Sequence, residues 1–129
     1  MSTELIKINP GLIALIEGSD LRLLPFAREL VVLECNVAGT SYQELDEIEP
    51  LLQPKDKFFL LREPDNKFDN FAVAIYTSRK EKLGYLPREK NETTARLLDA
   101  GKSIFGVLVS KQWNDEWLKL VVEIYLIDR

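Results

Sequence analysis

The run WLKLVVEIYLI (residues 117–127) sets Leu118, Leu120, Val122, Ile124 and Leu126 at every second position. A period of two places these side chains on one face of a strand, so one face is buried and the other is wet. A strand of that length needs long neighbours. Residues 103–111 supply one, and the intervening QWNDE carries Asn114-Asp115, which suits a hairpin turn. The C-terminal third therefore commits the chain to an antiparallel sheet.

Other strand signals precede this hairpin. Residues 30–38 are apolar and Val-rich and end at Gly39-Thr40-Ser41, a turn or bulge. Residues 56–63 (DKFFLLRE) form an apolar run bounded by charge, which reads as a strand buried on both faces. Residues 71–77 alternate Phe71, Val73 and Ile75 with Ala72, Ala74 and Tyr76. Residues 82–86 make a short strand stopped by Pro87.

Two short helices interrupt the strands. Residues 89–100 have Asn91 as N-cap, Ala95 and Leu98 facing inward and Gly101 at the C-cap. Residues 42–52 show helical spacing at Leu45, Ile48 and Leu52, broken by Pro50, with Glu44, Asp46, Glu47 and Glu49 as a solvated acidic face. Nothing repeats the strand–helix–strand rhythm of a parallel sheet. The fold class is β-rich α+β: a small antiparallel barrel with inserts.

Residues 1–28 read as an N-terminal helical arm, and residues 29–129 as the barrel domain. In the arm Asn9 can cap, Pro10 suits the first helical position and Gly18 can end the helix. Leu12, Ile13 and Ile16 share a face, which packs on the domain or on a second copy. The N-terminus lacks a basic leader and no run is long enough to span a bilayer, so no membrane association is expected.

Composition removes whole classes of chemistry. The 129 residues include no His and one Cys. Ser-His-Asp and Cys-His catalysis, histidine metal sites and internal disulfides are thereby excluded. Cys35, in the apolar VVLECNVAG, reads as an inert buried thiol, in keeping with a reducing cytoplasm. No phosphate loop, metal site or cofactor signature is present, so neither an enzyme nor a cofactor is expected. Net charge is −4, against a generic polyanion binder, but it is unevenly spread. Lys7, Arg22 and Arg28 are the only basic residues before residue 55, whereas Arg79, Lys80, Lys82, Arg88 and Lys90 cluster in RKEKLGYLPREK. Such a patch can steer an anion, or serve only as a solvated turn.

NKFDNFAVAIY (residues 66–76) starts as a turn and ends as a strand. Asn66 and Asp69 bond readily to their own backbone, which gives the plain reading. The alternative is a ligand lip: an aromatic face between an amide and a carboxylate. Three stretches in order then resemble the HIRAN domain, found at the N-terminus of helicase-like transcription factors and as a stand-alone bacterial protein. They are VAGTSY (37–42), LREPDNKFDNFAVAI (61–75) and LGYLPR (83–88), followed by a helix ending LLDAG. The likeness covers about residues 30–126.

The resemblance implies an OB-like barrel that grips the 3′ end of single-stranded DNA. It implies Tyr42 as the aromatic after the first glycine motif, and Asn66, Lys67, Phe68 and Asp69 at the family's Asn-Pro-Tyr-Asp. Gly84 to Arg88 match its glycine-to-basic turn. Tyr42 and Phe68 would stack on bases, Asp69 would accept from a terminal 3′-hydroxyl and Asn66 would bond a phosphate or base edge. Arg88 would neutralise the penultimate phosphate, and Tyr85 completes the expected rim. The chain departs from the pattern in two places: Ser41 stands where family members carry Arg, and Phe68 where they carry Tyr. A further stacking aromatic has no clear counterpart, with Trp113 near its position. A separately encoded helicase or nuclease is the implied partner. The rival readings are a protein-interaction or homo-oligomerisation domain, with Tyr42 as a barrel plug, Asp69 as a turn cap and residues 84–87 as a fold determinant.

Overall fold

Among the described residues, six strands and one α-helix follow one another along the chain. They are β1 (Arg28–Asn36), β2 (Lys57–Arg62), β3 (Val73–Tyr76), β4 (Lys82–Tyr85), α1 (Glu92–Asp99), β5 (Ser103–Asn114) and β6 (Trp117–Asp128). The computed structural model describes residues 28–128. The expected N-terminal arm, but for Arg28 at the start of β1, lies outside the described residues. No helix among the described residues is long and apolar enough to cross a membrane.

The strands form one antiparallel sheet in the order β1-β6-β5-β2-β3-β4. Its ends come back together within the unit Leu30–Leu126. Just past β1, the Ala38 N–H donates to the Tyr85 carbonyl at 2.7 Å, and the Tyr85 N–H donates to the Ala38 carbonyl at 2.8 Å. This bridge ties the first sheet edge to the last and makes the architecture an OB-like barrel.

Gly84 permits the closure. Its φ is +152°, and a Cβ there would lie 2.3 Å from the Ala38 carbonyl oxygen and 2.8 Å from Val37 Cγ1. The LGYLP stretch is thus a fold determinant before it is anything else. A bulge beside it, where Ile75 pairs with Gly84 but Tyr76 with Lys82, interrupts the β3–β4 ladder.

The inner face follows the predicted alternation. Leu118, Leu120, Val122 and Ile124 of β6 are buried with Phe58, Val73, Ile75, Leu83 and Leu108. Cys35 is also buried, and burial pushes its thiol pKa up to about 11, against the opposing pull of Lys90, as suits a structural thiol.

The structure corrects several details. β2 is buried on one face only: Phe58 is buried, but Phe59 and Leu61 are 59% and 52% exposed. The helical spacing over residues 42–52 is realised as the 3-10 turn Glu49–Leu51, because Pro50 cannot continue a helix. The acidic face there is not wholly solvated, since Glu49 receives Lys111 Nζ at 2.8 Å and Trp113 Nε1 at 3.2 Å. Asn91 occupies the N-cap of α1 but caps nothing with its side chain, which is used elsewhere. The helix end behaves as expected: Gly101 and Lys102 N–H groups bond back to the Leu98 and Leu97 carbonyls in a Schellman motif.

Candidate functional site

Two contacts link three connections of the barrel. Residues 37–56 leave β1 beside Tyr85, residues 63–72 join β2 to β3, and residues 86–91 lead from β4 into α1. The Ala38–Tyr85 bridge joins the first to the third. A hydrogen bond from Asn91 Nδ2 to Asp69 Oδ2, 2.7 Å, joins the second to the third. The six residues named from the sequence all lie on or beside these connections.

Tyr42 ends the 3-10 turn Thr40–Tyr42, which Gly39 enters at φ 76°. The turn is nailed down by buried Thr40, whose hydroxyl donates to the Leu118 carbonyl at 2.8 Å. Tyr42 itself is 88% exposed, so it is no barrel plug. Phe68 is 80% exposed at the tip of the β2–β3 connection. Two large aromatics left this open on anchored turns are an unusual feature for a small domain.

The β2–β3 connection is held from both sides. Asn66 Oδ1 accepts the Phe68 N–H and Asp69 Oδ1 accepts the Phe71 N–H, both at 2.9 Å. The plain reading of this segment as turn chemistry therefore holds. It does not use up Asp69, because each carboxylate oxygen has a second lone pair after accepting from Phe71 and Asn91. Arg62, which no sequence motif singles out, donates to the Ala72 and Asn70 carbonyls at 3.0 and 2.8 Å and pairs with Asp99 at 3.0 Å. It binds the connection to α1.

Tyr85 is committed to a network that the sequence motifs do not announce. Its hydroxyl donates to Glu63 Oε1 at 2.8 Å and accepts from Lys82 Nζ at 2.6 Å, while the ammonium sits 4.3 Å from its ring centroid. Asn66 Nδ2 adds a bond to the same Glu63 oxygen at 3.1 Å. Burial pushes the Glu63 carboxyl up, but hydrogen bonds from Tyr85 and Asn66 and the Lys82 ammonium outweigh it and hold the group below its usual range. Burial likewise lowers Lys82, and Tyr85 and Glu63 reverse that into a raised pKa. A signal exists in principle: Glu63 and Lys82 are charges at strand ends three residues from Asn66 and Tyr85. Arg88 is exposed at the start of the turn Arg88–Lys90. Trp113 is tied to Glu49 and fastens the β5–β6 hairpin. No group of residues suited to a metal ion occurs among the described residues.

No curated protein matches the chain. Three solved structures share its fold. A crystal structure of a protein from Lactobacillus plantarum is 22% identical, with a TM-score of 0.73 over 81% of this chain and 100% of that one. The HIRAN domain of human HLTF is 18% identical, with a TM-score of 0.63 over 78% of this chain and 80% of that one. The HLTF HIRAN domain in its DNA-bound conformation, solved by NMR, is 21% identical, with a TM-score of 0.53 over 75% and 78%. The HIRAN domain family model matches residues 30–127, from near the start of the sheet's first strand nearly to the end of its last, and the chain belongs to that family.

Proposed function

We propose that the protein is a nucleic-acid-binding module that takes single-stranded DNA with a preference for a free 3′ end, and that it is not an enzyme. The observation that carries the reading is the exposure of Tyr42 and Phe68, each on an anchored turn, with Asp69 next to Phe68 in the chain. Base stacking on such platforms is worth roughly 1–3 kcal/mol per base and tolerates any sequence. The DNA-bound conformation of the HLTF HIRAN domain supports the same ligand class.

A carboxylate at this position opposes an internal phosphodiester and favours a terminal hydroxyl, the donor that only a strand end offers. The hydrogen bonds from Phe71 and Asn91 fix Asp69 in place and leave it one acceptor site per oxygen. Asn66 is oriented by Glu63 and Phe68, and Arg88 is an exposed cation on the connection from β4 to α1. Tyr85 acts by holding Glu63 and Lys82 in this reading, not by touching the strand. DNA repair or processing in the cytoplasm, alongside a separately encoded helicase or nuclease, is the setting this activity suits.

Fluorescence anisotropy with two short strands tests it, one with a free 3′-hydroxyl and one with a 3′-phosphate. The hydroxyl strand is expected to bind about tenfold more tightly. Asp69→Ala removes the difference, whereas Arg88→Ala weakens both strands and flattens the salt dependence. Equal binding of the two strands overturns end recognition. Absence of binding at low salt favours a protein-interaction or homo-oligomerisation domain.

A further inference from the structure

The outer face of the sheet carries a row of aromatic side chains, one from each of four adjacent strands. The register sets Phe59 of β2 opposite Tyr76 of β3 on one side and opposite Phe105 of β5 on the other. Phe105 in turn stacks on Tyr125 of β6, with centroids 5.4 Å apart and planes 11° from parallel. Directly paired residues share a face, and adjacent strands are about 4.8 Å apart, so the row crosses the sheet at close, regular steps. At its centre Phe59 is 59% exposed, flanked along β2 by exposed Leu61.

Cations border this row. Lys57 Nζ lies 5.1 Å from the Phe105 ring centroid, and Lys82 is paired with Tyr76 in the ladder. Two carboxylates beside it are engaged: Glu63 by Lys82 and Tyr85, and Glu123 by the Tyr125 hydroxyl at 3.0 Å. The face is also continuous with the rim. Asn66 bonds Glu63, Glu63 bonds Tyr85 and Lys82, and Lys82 leads to Tyr76 at the head of the row.

We propose that this outer row, Tyr76–Phe59–Phe105–Tyr125 with Lys57 and Lys82, is a second, length-extending platform on which bases of a single-stranded nucleic acid stack after leaving the rim. The inference rests on the reading of the rim as a nucleic-acid site. A row of aromatic rings bordered by ammonium groups on a sheet face suits a chain of flat bases joined by phosphates. The rim then sets which end is held, and the row sets how much strand is covered.

Anisotropy with the full chain tests this, using 3′-hydroxyl oligothymidylates of roughly 4 and roughly 12 nucleotides, a short and a longer length within the range of single-barrel site sizes. The wild-type protein is expected to bind the longer strand more tightly. Phe59→Ser should reduce affinity for the longer strand at least about fivefold and leave the shorter unchanged. Phe59→Leu, which keeps apolar area but removes the ring, should show most of the same loss. Arg88→Ala, a rim change, should weaken both lengths. Retained binding of both strands by Phe59→Ser at wild-type affinity overturns the outer platform while leaving the rim reading intact. Binding of neither strand by the wild-type protein overturns both. Self-association in sedimentation that Phe59→Ser abolishes, with strand affinity unchanged, overturns the platform and assigns the face to a contact between copies of this chain.

Discussion

The two faces of β2 are built from the same kind of residue and meet opposite fates. On the inner face Phe58 is buried at 2% exposure among Leu108, Ile75 and Ile124. One residue later Phe59 stands 59% open to water. Nothing in DKFFLLRE distinguishes them, because a run without polar interruptions is consistent with burial on one side or both. The difference comes from the curl of the sheet: closing β1 onto β4 creates an inside, and what is left outside is covered only if another element lies on it. Inner apolar residues therefore report on stability, and outer ones on what the surface meets.

The contrast is sharpest in a pair of substitutions. Phe58→Ala empties a closed site and should cost about 3–5 kcal/mol. Phe59→Ala removes a ring already largely in water and should change stability by about 0.5 kcal/mol or less. Urea denaturation of both variants measures the gap. Comparable losses would show that the outer face is covered in solution.

A second change breaks the comparison at its source. Gly84→Ala puts a methyl group against the Ala38 carbonyl at the bridge that joins the sheet edges. Backbone has to move to admit it, and the expected cost is about 1–3 kcal/mol from overpacking, with strain from the positive φ in addition. Opening the seam should also let inner apolar residues be reached by a hydrophobic dye below the melting temperature. Unchanged stability would mean the barrel is held shut elsewhere.

Local features of this contrast are legible in the amino-acid sequence, and distant ones are not. The β6 alternation marks its buried face residue by residue, and Gly101 marks the end of α1, because both depend on local periodicity and local backbone geometry. The Asn-Lys-Phe-Asp turn is legible for the same reason. What escapes depends on partners far apart along the chain. Asn91 reads as a helix cap because capping is a local act, yet its side chain reaches 22 residues back to Asp69. Glu63 and Lys82 gain their roles only when β2 and β4 lie on either side of β3, and Arg62 only when α1 lies beside the β2–β3 connection. The fate of Phe59 requires the whole sheet.

The smallest expected effect separates the polar part of the outer face from the apolar inside by its response to acid. Glu63 is held below the usual carboxylate range in the folded protein: burial pushes it up, but hydrogen bonds from Tyr85 and Asn66 and the charge of Lys82 outweigh that. A group whose folded pKa is depressed lends stability above its unfolded value, near 4.3 for Glu, and loses it as pH falls through the folded one. Glu63 should thus contribute fully above about pH 5 and progressively less below. Glu63→Gln keeps the shape but removes the charge, leaving Lys82 and the Tyr85 hydroxyl with a weaker acceptor. The variant should be about 1 kcal/mol less stable at pH 7, with the difference from wild type shrinking as the pH is lowered toward about 3. Glu49, also held low by hydrogen bonds from Lys111 and Trp113, remains in both proteins, so some acid sensitivity persists. Thermal unfolding at a series of pH values from neutral to about 3 gives the two curves. Curves that stay parallel across that range would show that the Glu63–Tyr85–Lys82 network carries no linked proton.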